Sequence, residues 1–464
     1  MRNDATGPMG ESAQALKELV LGEVLQDGDE GFDESRSVYN AMIDRRPGII
    51  VRPNGVSDVM SAVRFARSRE ILLAVKGGGH NVAGNAVCDG GLMLDLAPMA
   101  WVRVDPRRRR ALVGAGTRLG AVDHETAPFG LVVPVGVDPD TGVAGLALGG
   151  GFGYLCRKHG LTIDNLVSVD MVTADAELVH ASDVENPELF WGVRGGGGNF
   201  GVVTSFEFAL HDLVTVLAGL IVYGAEDAES AVRHWWDVAA EAPDDLSVWL
   251  NFSTAGSEPF IPPSHRGKRI LSVIPIYSGA MEKGEEVIAP LRTFGSPIAD
   301  TVAPVPFVQW QRAFETSYPP GKRYYWKSHN FVDPSVDALD RITESALSPP
   351  TPETRVSITH LGGAVNRVPA DATAYPHRDV DFLVNMTTRW EDPSDDDRCI
   401  GWTREYFQAL QPFATGGTYV NLISETAGEE AMAYQENYDR LARLKAKWDP
   451  TNLFRMNQNV TPAI

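Results

Sequence analysis

Glycine-rich segments in the first half of the chain constrain its fold more than any other feature. Compact clusters stand at residues 77–79, 149–153 and 195–198, with a weaker run at 114–120, all within about 125 residues. Repeated glycine indicates backbone that adopts positive φ or approaches another group closely. Tight turns alone would account for one such cluster. Several in one region favour a large anionic cofactor with a pyrophosphate, because consecutive backbone N–H groups can cradle it.

The composition is that of a globular protein with more than one domain. The chain has 464 residues, of which 44% are hydrophobic and 22% charged, so two or three domains are expected. The net charge of -20 argues against a nucleic-acid partner. Three cysteines, an odd number, argue against a disulfide framework. With no export signal and no apolar run of about 20 residues, we expect a cytoplasmic protein that does not enter a membrane.

The density of glycine falls near residues 210–215, which predicts a domain boundary there. The second half is richer in aromatic residues. Residues 1–10 are expected to be disordered. After Gly428, apolar side chains from Tyr434 to Trp448 recur at helical spacing and predict one long helix, which Asp449 and Pro450 end.

Other common enzyme motifs are excluded. Gly196, Gly198 and Gly201 match G-x-G-x-x-G, but they follow a helix-like segment and precede a strand, the reverse of the dinucleotide-binding order. No Walker A, H-E-x-x-H or G-x-S-x-G motif is present. The histidines show no close pair with plausible zinc-ligand partners, so no metal site is predicted.

His80 directly follows the first glycine cluster at the end of an apolar strand. A loop histidine is most often satisfied by nearby backbone groups. A glycine loop can also bring an imidazole against a bound ligand, and a neutral imidazole is a nucleophile. From the residues alone, both roles stay open.

The motifs taken together resemble the berberine-bridge-enzyme-like branch of the vanillyl-alcohol oxidase and p-cresol methylhydroxylase superfamily. Similarity is strongest to bacterial hydroxynicotine oxidases and to polyketide-tailoring flavoenzymes of actinomycetes. The motif Lys76-Gly77-Gly78-Gly79-His80-Asn81 is the most specific part. The other segments that carry the resemblance lie at 89–91, 142–146, 149–153, 157–161, 164–165, 188–191, 196–204, 419–421 and 449–455.

The resemblance implies an α+β fold, with a two-subdomain FAD-binding domain of the vanillyl-alcohol oxidase type and a sheet-and-helix substrate domain. The implied boundaries are 40–213 for the FAD-binding domain and 214–424 for the substrate domain, with 425–464 returning to the first domain. His80 falls on the position that forms a covalent histidyl bond to FAD. The other residues that the resemblance assigns to the cofactor are Gly77, Gly78, Gly79, Asn81, Gly84, Thr141, Gly142, Gly145, Gly149, Gly150, Gly153, Val203, Tyr419, Asn421, Asn457 and Asn459.

The sequence departs from the family pattern at three positions. Bicovalent members carry a cysteine where this chain has Asp138, and Cys156 is expected to be a packed thiol. Sugar-oxidising members with a tyrosine in the second glycine cluster would place it at Phe152. The pattern Tyr-x-Asn-Tyr ends here in Leu422, so the usual pair of tyrosines is incomplete.

The resemblance further implies that the protein holds a substrate C–H over the flavin and passes electrons to O2. A polyketide or aromatic substrate is favoured over a sugar, because the paired tyrosines are incomplete. A flavin-bearing binding protein without turnover and a sugar or alcohol oxidase stay as alternatives, and a monomer or homodimer is expected. An NAD(P)-linked dehydrogenase is disfavoured, because no second dinucleotide site is visible. The candidate catalytic residues, each with a structural alternative, are Tyr154, Tyr419, His360 and Tyr325, followed by Tyr324 and Lys327.

Overall fold

The computed structural model of the protein describes residues 8–425 and 428–464. Of the stretch expected to be disordered, residues 1–7 lie outside this range, whereas a helix begins at Pro8. The first subdomain is built on a sheet in the order β1-β2-β4-β3, in which β2, β4 and β3 run parallel. Its elements are α1 (Pro8–Lys17), β1 (Glu23–Leu25), α2 (Phe32–Arg36), β2 (Ile49–Arg52), α3 (Val56–Ser68), β3 (Leu73–Lys76) and β4 (Leu92–Asp95).

The second subdomain is an antiparallel sheet in the order β5-β6-β10-β8-β9. The third glycine cluster lies between helix α7 and strand β10, which confirms that its G-x-G-x-x-G pattern does not open a helix. Its elements are β5 (Val102–Asp105), β6 (Arg110–Gly114), α4 (Leu119–Thr126), β7 (Leu131–Val132), α5 (Val143–Leu148), α6 (Cys156–His159), β8 (Leu166–Val172), β9 (Leu178–Ser182), α7 (Pro187–Val193), β10 (Val202–Ala209) and β11 (His211–Asp212).

The middle of the chain forms a large antiparallel sheet, here called the roof sheet, in the order β16-β13-β15-β14-β19-β20-β18. Strands β12 and β17 join it beside β15. Its elements are β12 (Thr215–Ala218), β13 (Ile221–Gly224), α8 (Ala228–Ala240), β14 (Leu246–Thr254), β15 (Arg269–Tyr277), α9 (Met281–Arg292), β16 (Ala299–Asp300), β17 (Ala303–Pro306), α10 (Phe307–Trp310), β18 (Arg323–Phe331), α11 (Val336–Leu347), β19 (Arg355–His360), β20 (Phe382–Trp390) and α12 (Asp396–Leu410).

The roof sheet has two different faces, because successive side chains of a strand point to opposite sides. One face packs Leu250, Ile358 and Val384 against helices α8, α11 and α12 in a core of its own. The other face meets the first two subdomains, as shown by Trp249, which clusters with Tyr154. The two subdomains share a separate core, which includes residues from Ala13 to Leu210 and residues of the C-terminal segment up to Val460.

The C-terminal segment returns to the first domain, with α13 (Glu430–Tyr434) and α14 (Tyr438–Trp448). The prediction of one long helix was wrong, because Gln435 adopts a φ of 42° and interrupts it. Leu444, Phe454 and Val460 are buried in the core of the subdomains.

A buried ion pair fixes the end of α14. Lys445 and Asp449 are 2.7 Å apart, and both side chains are fully buried. The Lys445 ammonium also donates to the backbone carbonyls of Asn199 and Phe454. Asp449 in turn accepts from the backbone N–H groups of Leu453 and Phe454, so the pair shapes the tail that follows the helix.

Within the described part of the chain, no helix combines the length and apolar character needed to span a bilayer. All three cysteines are free and buried.

Candidate active site

The glycine clusters surround an elongated cavity of about 320 Å³, here called the cofactor cavity. It runs between the two subdomains and is closed by the roof sheet and the C-terminal tail. Apolar side chains such as Leu73, Val75 and Met456 form much of its wall. The predicted cofactor residues that line it are Gly77, Gly78, Gly79, His80, Asn81, Thr141, Gly142, Gly145, Val203, Tyr419, Asn421 and Asn457.

Other predicted cofactor residues lie near the cavity without lining it. Gly149 packs against Asn421, since a Cβ there would lie 2.3 Å from the Asn421 Oδ1 atom. Gly149 therefore allows two segments of the chain to pack closely beside the cavity. The predicted residues absent from its wall are Gly84, Gly149, Gly150, Gly153 and Asn459.

The glycines that do line the cavity let backbone come close to its contents. Gly78 and Gly142 lie back to back, and a Cβ on Gly78 would stand 2.4 Å from the Gly142 nitrogen. A Cβ on Gly145 or Gly198 would meet no protein atom within 4 Å, so both face open space. This arrangement fits a large ligand held by main-chain groups.

The C-terminal tail supplies polar atoms to the same cavity. Asn199 holds the tail, accepting from the Val460 N–H at 2.9 Å and donating to the Gln458 carbonyl at 3.1 Å. Asn457 and Gln458 line the cavity. Their side-chain oxygens are buried and have no hydrogen-bond partner in the part of the chain that the structure describes. Buried polar atoms are nearly always paired, so these oxygens fit a ligand with hydrogen-bond donors.

His80 stands in the wall at the end of the first glycine loop. Its ring stacks on Tyr39, with centroids 4.0 Å apart and planes inclined by 20°. Its Nε2 atom lies 3.1 Å from Oδ2 of Asp138. Behind this pair lies a second, polar cavity of about 380 Å³, which shares Gly78, His80 and Asp138 with the first and is also lined by Lys76.

Asn40 joins the histidine loop to the roof sheet. Its Nδ2 atom donates to the carbonyls of Val82 at 2.8 Å and Tyr324 at 3.0 Å. Its Oδ1 atom accepts from the Tyr324 N–H at 3.0 Å. The same amide therefore bridges a loop of the first subdomain and strand β18.

Comparison with known proteins identifies the architecture. A family model described as "FAD binding domain" matches residues 47–182, and one described as "Berberine and berberine like" matches residues 418–461. (R)-6-hydroxynicotine oxidase of Paenarthrobacter nicotinovorans is 32% identical, over 96% of this chain and 97% of the relative. The chain belongs to the berberine-like family of FAD-linked oxidoreductases.

Further relatives agree with this membership. An FAD-linked oxidoreductase of Dictyostelium discoideum is 31% identical, over 96% of both chains. Aclacinomycin oxidase of Streptomyces galilaeus is 30% identical over 91% of this chain and 87% of its own. The crystal structure of 6-hydroxy-D-nicotine oxidase from Arthrobacter nicotinovorans superposes with a TM-score of 0.86 at 29% identity, covering 96% of this chain and 98% of that one. The predicted family, fold class and enzyme class are confirmed.

Among the candidate catalytic residues of this berberine-like enzyme, Tyr419 lines the cofactor cavity. Its phenol oxygen accepts from the Gly151 N–H and from Asn421 Nδ2, both at 2.9 Å. Burial raises the pKa of Tyr419 to about 12. The phenol therefore keeps its proton near neutral pH, and its O–H stays available to donate a hydrogen bond.

Tyr154 lies beside the cavity wall, buried against Trp249 and Trp310. Burial, with smaller electrostatic effects of the neighbouring Tyr318 and Asp138, raises its pKa above the usual value. Because both neighbours line the polar cavity, the Tyr154 phenol stands close to the same region.

The other candidates engage different partners. His360 is 2% exposed and accepts from the Val248 N–H at 3.3 Å, and burial lowers its pKa well below the usual value. Tyr325 bonds to Glu425, and Lys327 pairs with the same carboxylate at 3.1 Å. The Tyr324 hydroxyl donates to a backbone carbonyl. None of these four lines the cofactor cavity within the described residues.

Sequence reasoning missed Trp326, Tyr39 and the role of Asp138. Trp326 lines the cofactor cavity, one position from the candidate Tyr325. Asp138 carried a signal, since it replaces the cysteine of bicovalent members. Tyr39 carried no such signal, because an isolated tyrosine in the loop between α2 and β2 has no distinctive pattern.

Proposed function

We propose that this FAD-linked oxidoreductase holds its FAD covalently through His80 and oxidises a small aromatic or polyketide-like substrate with O2 as the electron acceptor. The observation that carries the proposal is the pairing of His80 with Asp138 in the wall of the cofactor cavity. Xylooligosaccharide and aclacinomycin oxidases both occur among the relatives, so the family alone does not select the substrate.

The pairing prepares one imidazole nitrogen for a covalent bond. The Asp138 carboxylate accepts a hydrogen bond from Nε2–H, which fixes the tautomer in which Nδ1 carries the lone pair. Tyr39 stacks on the ring and fixes its plane. A carboxylate beside the imidazole also stabilises the positive charge that develops when Nδ1 acts as a nucleophile.

Bound FAD would supply the redox chemistry, accepting two electrons from a substrate carbon and passing them to O2. The main chain at Gly78, Gly142 and Gly145 would hold the cofactor, and Asn457 would offer its unpaired oxygen. The Tyr419 phenol accepts from Gly151 and Asn421 and would donate its own hydrogen bond to a bound ligand. Tyr154 is a second neutral phenol near Asp138. Trp326 lines the cavity from the roof sheet.

The proposal includes the organisation of the chain and its setting. We propose a division into residues 40–213, 214–424 and 425–464. The core under the helices of the roof sheet supports the 214–424 unit, and the packing of Leu444 and Phe454 into the core of the subdomains supports the return of 425–464 to the first domain. We propose that the protein works in the cytoplasm as a monomer or homodimer.

Mass spectrometry of tryptic peptides tests the attachment. The peptide that contains His80 should carry the mass of FAD less two hydrogens, and the denatured protein should stay yellow. In the His80→Ala variant the flavin should be lost on denaturation. An unmodified His80 peptide with colourless denatured protein would overturn the covalent link. Uptake of O2 with a panel of aromatic and polyketide alcohols separates an oxidase from a flavin-bearing binding protein, which would show none.

A further inference from the structure

A row of neutral polar side chains crosses the roof sheet on the face that meets the FAD-binding subdomains. The residues pair directly across adjacent strands, in the order Ser272, Asn251, Ser357, Asn385 and Ser328. The strand neighbours of the first four residues belong to the core under the helices. The neighbours of Ser328, which are Lys327 and His329, contact Phe407 of helix α12. The row therefore points away from the helices and toward the first domain.

Aromatic residues flank this row and connect it to the cofactor cavity. On one side, Trp326 lines the cavity itself. On the other, Trp249 meets the ring of Phe152, a cavity-lining residue, at a centroid distance of 6.3 Å. Tyr318, which lines the adjoining polar cavity, brings its hydroxyl within 3.4 Å of Ser357 Oγ.

Two polar atoms of this wall lack partners. The Asn385 Oδ1 atom and the Trp326 indole N–H are buried without a hydrogen bond to any residue that the structure describes. Buried donors and acceptors need a partner. A bound molecule that carries both hydroxyl and carbonyl or carboxylate oxygens would satisfy both atoms.

The charge on this face is positive. On strands β14, β15, β18, β19 and β20 the alternation places no acidic residue on the cavity side, but it places Arg355 and Arg389 there. Glu353 neutralises Arg389 at 2.7 Å. Arg355 has no carboxylate within 4.0 Å among the described residues, and its guanidinium lies 5.6 Å from the centre of the Tyr318 ring. Arg355 lies against the ring of Tyr318, which lines the polar cavity beside the cofactor cavity. Without an acidic partner, its guanidinium is free to bind an anion that enters there.

We propose that Arg355 binds the anionic group of the substrate, and that the substrate is an aromatic or polyketide-like carboxylate with further hydroxyl or carbonyl oxygens. Those oxygens form hydrogen bonds with Asn251, Ser357 and Asn385. A cationic amine is disfavoured, because it would meet the unpaired guanidinium of Arg355, whereas the Glu353 carboxylate is already paired with Arg389. The inference rests on the proposed function, since it identifies the substrate class of the same site.

Binding of matched probes to the purified holoenzyme tests the inference. The probes are 4-hydroxybenzoate, 4-hydroxybenzyl alcohol and 4-hydroxybenzylamine, which share a ring and differ in charge. Perturbation of the flavin absorbance reports each Kd. We expect the carboxylate to bind roughly tenfold more tightly than the alcohol or the amine, and its affinity to fall as ionic strength rises.

Arg355→Met should weaken binding of the carboxylate by roughly tenfold or more and leave the alcohol unaffected. Arg103→Met, which removes an exposed arginine of strand β5, should change none of the three affinities. Arg355→Gln provides a second neutral variant if the methionine variant does not fold. A wild-type enzyme that prefers the amine or binds no carboxylate would overturn the inference, as would an Arg355→Met effect equal for all probes.

The same preparations separate this inference from the proposed function. Their visible spectrum and the His80 peptide report whether flavin is attached. Attached flavin without a preference for the carboxylate refutes the role of Arg355 alone. Loss of attached flavin in the wild type refutes the covalent link instead.

Discussion

Nε2 of His80 lies 3.1 Å from Oδ2 of Asp138, a residue 58 positions later in the sequence. The carboxylate holds the imidazole in the cavity wall. This contact links the second subdomain to the loop of the first that carries His80, the proposed attachment residue.

Asp138→Ala should slow covalent attachment of the flavin. Without the carboxylate, neither the tautomer nor the developing charge of His80 is stabilised, and we expect the attachment rate to fall by roughly 100-fold. Flavin fluorescence of denatured protein, sampled while apoprotein is incubated with FAD, gives the rate. Asp140→Ala is the matched control, because Asp140 is exposed and pairs with Arg118. Equal rates in wild type and Asp138→Ala would remove Asp138 from the mechanism.

Cys156→Ala should leave the flavin attached and its absorbance spectrum nearly unchanged. Cys156 is 1% exposed, and burial raises the pKa of its thiol to about 11, so little thiolate is available for a second bond. The measurement is the visible spectrum of purified variant and wild type, before and after denaturation. A strong spectral shift would indicate a second covalent bond to the flavin, through Cys156.

Gly145→Leu should fold normally and lose flavin. A side chain at this position meets no protein atom near its Cβ and extends into the cofactor cavity, where it competes with the ligand. The ratio of flavin to protein absorbance measures the loss, and circular dichroism checks the fold. Gly401→Leu, at another uncrowded glycine but in helix α12, should keep its full flavin content. A Gly145→Leu enzyme with normal flavin would place the cofactor elsewhere.

Lys445→Met should destabilise the protein by about 3–5 kcal/mol, because it leaves the Asp449 carboxylate buried without its counter-ion. The free energy of unfolding in urea measures the effect. Lys447→Met, two positions away on the exposed side of the same helix, should change that free energy by less than about 0.5 kcal/mol. Similar values for the two variants would contradict the anchoring role of the pair.

Asp123 should make the stability of the protein decrease as pH rises through the weakly acidic range. Burial raises its pKa to about 7, against a smaller opposite effect of the hydrogen bond from Gln311. Between about pH 4 and 7 the folded chain keeps this proton while the unfolded chain has lost it, so rising pH favours unfolding.

Asp123→Asn removes this titration. As pH rises from about 4 to 7, the variant should become more stable relative to the wild type, by at most roughly 4 kcal/mol in the free energy of unfolding. Urea unfolding at several pH values measures the difference. The exposed control Asp439→Asn should follow the wild-type profile, and an Asp123→Asn profile parallel to it would refute the raised pKa.

The sequence allowed the cofactor loop to be predicted, because its signals are local. Gly77, Gly78, Gly79 and His80 are consecutive, and their motif marks the family and fold. The partners of His80 could not be predicted, since Tyr39 and Asp138 reach it only through the packing of distant segments.

The roof sheet shows a second reason why part of the site could not be predicted from the sequence. Tyr324, Tyr325 and Trp326 are all aromatic, so their pattern does not reveal which face meets the cavity, and a shift of one residue reverses every assignment. The candidate Tyr325 points toward α12, whereas Trp326 lines the cavity. The break at Gln435 was equally hidden, because the apolar spacing continues across it.

The bridge that Asn40 forms between Val82 and Tyr324 has a consequence for engineering. Exchanging the substrate domain for that of a relative would break a contact with the loop that carries His80. The contact is kept only if the main chain of the new strand forms the same hydrogen bonds with the Asn40 side chain. A chimera joined near residue 213 should therefore retain the main-chain geometry at Tyr324. A chimera without that geometry would gain a new substrate specificity but bind less flavin.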